Sequence, residues 1–242
     1  MSDTTDTLIE KSTVSGNQAT HSLADATGIV SQSYGAGLYL SGGNSRVVNS
    51  TISSNLGTAD GDVYGAGVFV KGESTAYIVH TTIASNVATG TTGAYGAGVS
   101  HFPSTSTTAA EEVIVLLNSI LADNQAVSGD SSEEKGVSCF QTTYTIGGNL
   151  VEDTSGCRLD SSLATTSIVD STDVEAQLGA LDAGGYDVAT HSLGSSSPAR
   201  AIASCKDEFG SSVLTDARGV RRDLRCDAGS WEYRDARGTS RR

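Results

Sequence analysis

The sequence predicts an all-β protein: a right-handed parallel β-helix, built as a single stack with an irregular C-terminal closing region. Three observations lead there. Tyr-Gly-Ala-Gly occurs at Tyr34, Tyr64 and Tyr95, spaced 30 and 31 residues apart. A second motif ends in Asn17, Asn55, Asn86 and Asn124. The chain holds 28 Gly, 2 Pro and only 5% aromatic residues, a composition of many short strands joined by turns.

The Asn motif comes first along the chain. It reads Ser12-Thr13-Val14-Ser15-Gly16-Asn17, then Ser50 to Asn55, Thr81 to Asn86 and Ser119 to Asn124. Three residues before each Asn stand Val14, Ile52, Ile83 and Leu121, and seven before stand Glu10, Val48, Val79 and Leu117. The position midway between them is always Ser or Thr. Strand side chains alternate faces, so these positions are expected to share an inward face. Lys11, Asn49, His80 and Asn118 fall between and are expected in solvent. Spacing by four also suits a helix, but Val, Ile, Thr and Ser select strands.

Each Tyr-Gly-Ala-Gly leads into an extended stretch: Leu38-Tyr39-Leu40, Val68-Phe69-Val70 and Val99-Ser100-His101. Propeller blades usually need about 40 residues and an aromatic signature of their own, which is absent here. Stacked coils instead place like residues in files about 4.8 Å apart. An Asn at each turn then adopts a left-handed backbone and bonds to the Asn of the next coil. Glycine leaves room for the bend before the next strand. Glu10 belongs to a first coil whose inward face need not be covered. His101, close to Pro103, marks a strand that ends early. The longest side loops are expected at Gln18 to Ser33, Val87 to Ala94 and Val127 to Gly136.

Three segments follow from this reading: repeat coils over 1–126, a loop and Cys-bounded continuation coil over 127–160, and a closing region of the same domain over 161–242. Cys139 with Cys157 and Cys205 with Cys226 close short loops late in the chain. An even count in a Ser/Thr/Gly-rich sequence suggests two structural disulfides and an oxidising compartment.

The later half carries Ile146-Gly147-Gly148-Asn149-Leu150-Val151, Thr190-His191-Ser192-Leu193 and Ser197-Pro198-Ala199. It closes with Asp216-Ala217-Arg218-Gly219-Val220-Arg221-Arg222 and Cys226-Asp227-Ala228-Gly229-Ser230-Trp231-Glu232-Tyr233. This ordered series resembles the choice-of-anchor Q domain proteins of bacterial surfaces, themselves similar to polymorphic outer-membrane-protein repeats. The resemblance covers most of the chain. It departs at Arg200-Ala201-Ile202-Ala203, where the family usually continues Ile-Asp-Ala-Gly. It implies a β-helix exposed outside the cell and anchored through a C-terminal signal, with no general catalytic assignment. It also implies a structural hydrogen bond for His191.

The formal net charge of −13 argues against nucleic acid, which needs a basic stripe. No apolar run approaches the roughly 20 residues of a membrane span. The polar Ser2 to Thr7 is no signal peptide, and no anchor pattern follows Tyr233. The chain is therefore expected to be secreted or held at the cell surface by elements outside it.

The chemistry motifs are weak. There is no Asp-Asp pair of the pectin-hydrolase type. The acids Asp25, Asp60, Asp62, Glu73, Glu111, Glu112 and Asp123 fall mostly in turns. Bases near them are limited to Lys11, Arg46 and Lys71. Asp60-Gly61-Asp62 suits a Ca2+ site or, more simply, a solvated turn. Gly-Ala-Gly lacks the third glycine of a dinucleotide loop, and no Gly-x-Ser-x-Gly elbow exists. The histidines are scattered, and His80 is placed on the surface. No catalytic, cofactor or metal residue is assigned.

The expected function is a non-catalytic adhesive or structural module that binds surface partners or glycans through side loops. A polysaccharide lyase or hydrolase is the alternative. Ice binding by an outward Thr13, Thr51 and Thr82 file is a minor third reading. An uncapped first coil also invites edge pairing, so self-association or a fragment is expected.

Overall fold

The computed structural model describes residues 7–22, 31–101, 113–129, 134–159, 168–170 and 175–235. They form an all-β structure of parallel strands in curled sheets, with no helix among the described residues. The chain visits up to four sheets in turn, entering the first one twice through Val99–His101 and Val113–Leu117, which both pair with Val68–Val79. The first sheet contains Thr7–Glu10, Leu38–Val48, Val68–Val79, Val99–His101, Val113–Leu117 and Cys139–Thr145, with Cys157–Leu159 paired to the last. The second runs Thr13–Ser15, Thr51–Ser53, Thr82–Ala84, Ile120–Ala122, Asn149–Val151 and Ile168–Asp170.

Val14, Ile52, Ile83 and Leu121 line up as register partners in one column. They meet Val47, Ile78 and Leu116 from the first sheet in a shared core. The positions seven before Asn do not join them. Val48, Val79 and Leu117 lie in a separate cluster on the outer side, and Glu10 is exposed. The cause is one left-handed residue between the two strands: Lys11, Asn49, His80 and Asn118 have φ between 46° and 56°. That turn breaks the alternation on which the face assignment depended. The Ser or Thr that follows caps the corner, as when Ser50 Oγ donates to the Val48 carbonyl at 2.9 Å.

The asparagines form the expected ladder. Nδ2 of Asn17 donates to Asn55 Oδ1 at 2.9 Å, Asn55 to Asn86 at 2.9 Å and Asn86 to Asn124 at 3.0 Å. Each Oδ1 also accepts the backbone N–H of the Asn before it. The left-handed backbone belongs to the preceding residue, Gly16, Ser54, Ser85 or Asp123. The Asn itself turns inward, where its amide satisfies the buried carbonyls of Val14, Ile52 and Ile83; buried carbonyls need such partners.

The two motifs meet inside the coil. A Cβ on Gly67, the second glycine of its Tyr-Gly-Ala-Gly, would lie 2.5 Å from the Gly98 carbonyl oxygen and 3.0 Å from Asn86. Gly37 and Gly98 face Asn55 and Asn124 in the same way. The first glycine of each motif shapes the corner instead. Gly35, Gly65 and Gly96 adopt φ of 54° to 57° there, where a side chain is strained.

Where the predicted side loops are described, they are mostly strands. Gln18–His21, Leu56–Ala59, Val87–Gly90 and Gln125–Ser128 form a third sheet. Ser33–Tyr34, Asp62–Tyr64, Gly93–Tyr95 and Glu134–Lys135 form a fourth. Their inner faces meet over small residues: Ala59, Val63, Ala66, Ala88, Ala94 and Ala97. Such a sparse apolar pattern hides strands from a search for bulky alternation. Residues 23–30 and 130–133 of those loops lie outside the described residues, as do Asp25, Pro103, Glu111 and Glu112. His101 pairs with Val70 and is buried.

Two disulfides join Cys139 to Cys157 and Cys205 to Cys226. The C-terminal segment 175–235 adds one antiparallel pair, Leu178–Asp182 with Thr190–Leu193, and otherwise runs in turns tied by three isolated antiparallel bridges, Ala203 to Cys226, Lys206 to Ser212 and Thr215 to Arg221. It lies along the outer flank of the second sheet. There Ile120 and Leu150 pack with Ala176, Leu193, Ala199, Cys226 and Ala228.

Candidate functional site

Two flanks of the curled sheets differ in what covers them. On the flank of the second sheet, the C-terminal segment takes the outward side chains. Thr13 donates to the Ala189 carbonyl at 2.7 Å. Thr51 and Thr82 meet Ser230 Oγ at 2.8 and 3.1 Å. Thr51 and Thr82 are buried, so this threonine file presents no flat exposed array. Ser53 meets His191 Nε2 at 2.8 Å while Nδ1 faces the Gly179 carbonyl at 2.7 Å. That serine is buried; the pair joins two segments and reaches no open site.

Asn49, His80 and Asn118 are buried beside this flank rather than solvated. The charged motifs of the C-terminal segment supply the reason. Asn49 Oδ1 accepts from Arg222 Nη2 at 2.9 Å. Asn118 Nδ2 donates to the carbonyls of Ser204 and Lys206, and its Oδ1 accepts the Ser204 N–H. His80 Nε2 lies 3.1 Å from Asn118 Nδ2, whose two hydrogens serve the Ser204 and Lys206 carbonyls at 2.8 and 2.9 Å.

Around them lies a buried ionic knot. Arg222 pairs with Glu232 at 3.1 Å, and both side chains are 1% exposed. Glu232 also accepts the N–H groups of Asp223 and Asp227. Asp216 binds Arg218 at 2.6 Å and accepts the N–H groups of Val220 and Glu232. The Arg218 guanidinium stacks over the Trp231 ring at 3.1 Å. Burial pushes the carboxyls of Asp227 and Glu232 up, and lowers Arg222. Burial and the nearby Arg222 charge push His80 well down. These acids are consumed by internal partners, so their raised proton affinity reflects desolvation within a structural lock. Their signal in the sequence was the run of alternating acids and arginines from Asp216 to Glu232.

The other flank, along the fourth sheet, carries an aromatic stack. Tyr34 and Tyr64 have ring centroids 5.5 Å apart at 14°, and Tyr64 and Tyr95 are 4.7 Å apart at 16°. Phe69 is fully buried beneath Tyr34, Tyr39 and Tyr64. Phe140 continues the cover beside Tyr95 at 4.9 Å. Tyr39 keeps 47% of its surface exposed.

Polar groups line this stack. Asp62 accepts from Thr92 Oγ1 at 2.6 Å, from Tyr64 at 3.3 Å and from Gln32 at 3.4 Å. The Tyr34 hydroxyl donates to Gln32 Oε1. Burial and the Asp62 charge raise both Tyr34 and Tyr64, so the phenols stay protonated donors at neutral pH. Sequence reasoning missed Asp62, Gln32 and Thr92 as partners of the tyrosines. The signal was present: Gln32-x-Tyr34 and Asp62-x-Tyr64 place each polar residue on the ring's side of a strand.

A groove of about 230 Å³ opens between the first coil and the C-terminal segment, lined among others by Leu8, Glu10, Lys11, Arg46 and Leu214. Arg46 is occupied there by Glu208 at 2.5 Å and Asp207 at 3.5 Å. Among the described residues, no three His, Cys, Asp or Glu side chains converge as a metal-binding group, and Asp60 and Asp62 stay apart from such a cluster. No helix of the described residues is long and apolar enough to cross a membrane. Compared with protein-family models, curated proteins and solved structures, the chain shows no significant match.

Proposed function

We propose that the chain is a right-handed parallel β-helix module, one stack closed on its side by residues 175–235, from an exported protein of the choice-of-anchor Q kind. It acts by binding at the cell surface or outside the cell, without catalysis. Parallel connections within a sheet are right-handed in nearly every case, which favours that hand. Two disulfides favour an oxidising compartment. The observation that carries the binding role is the exposed ring of Tyr39 at the edge of an aromatic stack in which Tyr34 and Tyr64 are half-buried and Tyr95 is buried. Its rings and polar partners sit at rung spacing on a rigid scaffold, as solenoids present their binding faces.

The test is an array of soluble polysaccharides and extracellular proteins, probed with the full chain and with a Tyr39→Ala, Asp62→Ala variant. Binding that the variant loses supports the reading. Binding that the variant keeps overturns the flank assignment. Release of shortened sugars from any polysaccharide overturns the non-catalytic role in favour of a lyase or hydrolase.

A further inference from the structure

Resting on the reading of the aromatic flank as a binding face, we infer that its partner is an uncharged polysaccharide, with Tyr39 stacking on a sugar ring and Asp62 accepting sugar hydroxyls. The groups on the flank define the chemistry. Tyr39 offers a half-exposed ring, held at its back by Phe69 with centroids 5.5 Å apart. A ring fixed in this way loses little freedom when a pyranose lies on it, and the apolar C–H face of a sugar matches an aromatic surface.

Hydroxyls need directional partners beside that ring. Asp62 is an acceptor already meeting three donors, Thr92, Tyr64 and Gln32. The phenols of Tyr34 and Tyr64 are donors, and Gln32 carries both functions. Replacing Thr92 or Gln32 by sugar hydroxyls exchanges like for like, so the carboxylate stays satisfied throughout.

Charge then separates sugar classes. Among the described residues that hydrogen-bond on this flank, the sole charge is Asp62; Glu134 and Lys135, paired with Ala94 and Tyr95 in the same sheet, are of opposite sign and cancel, and the whole chain carries −13. Asp62 and the net charge both repel a polyanion, since a single-sign field acts on encounter and on binding alike. Polygalacturonate and similar acidic chains are thus disfavoured. The ladder also repeats along the stack, with Tyr34, Tyr64 and Tyr95 about one rung apart. A polymer running along the axis meets the exposed Tyr39 ring and the half-buried Tyr34 and Tyr64, whereas a monosaccharide spans only one of them; Tyr95 is buried beneath the row.

The experiment is affinity electrophoresis and calorimetry of the full chain with galactomannan, xyloglucan and mixed-linkage β-glucan as neutral probes. Polygalacturonate and chitosan are the acidic and basic probes. The expected result is binding to at least one neutral polymer, weakened about tenfold by Tyr39→Ala, the loss typical of one aromatic contact. Asp62→Asn, which keeps shape but weakens the acceptor, is expected to weaken it as well. Unchanged melting temperatures show that both variants are folded. Binding to polygalacturonate, or to chitosan alone, overturns the uncharged class; if Tyr39→Ala abolishes it, the flank still stands as the binding face. Binding to neutral polymers that neither substitution alters overturns both the class and the flank. Binding to none of the five overturns the glycan inference, and the extracellular-protein array then decides the flank separately.

Discussion

The parallel coils among the described residues between 7 and 159 and the C-terminal segment 175–235 reach burial by opposite routes. In the coils, like residues stand above one another, and the same few interactions recur: apolar columns, backbone ladders and the Asn row. In the C-terminal segment only one device recurs, a turn closed by an aspartate at Asp207 and again at Asp216. Its order otherwise comes from single-use contacts: one disulfide, the knot of Asp216, Arg218, Arg222, Asp227 and Glu232, and bonds to Asn49 and Asn118. Repetition lets a short motif specify a large structure, because each added coil meets a surface already shaped for it. A single-copy segment must carry all its own instructions. It does so with charged side chains, whose geometry is strict and whose loss leaves a buried partner unmatched.

Four changes test that contrast, beginning with the most damaging. Asn86→Ala removes the amide that serves Asn55 and the Ile52 carbonyl. With three buried groups orphaned at 1–3 kcal/mol each, the loss is about 5 kcal/mol; chemical denaturation measures it. A loss below about 1 kcal/mol would mean the ladder is ornamental. Arg222→Ala leaves Glu232 and Asn49 buried without their cation. The expected cost is about 4 kcal/mol, accompanied by faster proteolysis within 175–235 while the coils resist. Equal cleavage across the whole chain would dissolve the distinction between the two regions.

Replacing both Cys205 and Cys226 with Ser opens a loop of separation 21, with an expected loss of about 3 kcal/mol. Melting with and without reductant checks it. The smallest effect is a pH dependence at His80. Its pKa is lowered on folding, so below the unfolded value near 6.5 the unfolded state binds the extra proton. Stability from this group is therefore intact above about pH 6.5 and declines as pH falls beneath it. Asp227 and Glu232, raised on folding, act with the opposite sign, since acidification relieves their burial. Comparing the wild type with His80→Gln cancels their contribution. The melting temperature of the wild type should drop further between pH 6.5 and 5 than that of the variant, and parallel profiles would remove His80 from the lock.

Some of this was legible in residues alone. The column of Val14, Ile52, Ile83 and Leu121 and the Asn row followed from repeat spacing, because stacking converts sequence period directly into contact. The cysteine pairs followed from proximity. The third and fourth sheets did not show, since Ala and Gly fill their interior and give no bulky alternation. The aromatic flank was half visible: the tyrosines stood in the motif, but their use of Asp62, Gln32 and Thr92 required the strand faces.

What the sequence determined by itself was local and periodic: which residues lie in register, and that strands rather than helices carry them. What only the tertiary structure decided was which outer face remains open. Lys11, Asn49, His80 and Asn118 occupy one equivalent position, yet Lys11 is exposed while the other three are buried. Their fate depends on where a non-repeating segment more than 80 residues away comes to rest. Burial there is set by a long-range contact, and a short-range pattern holds no record of it.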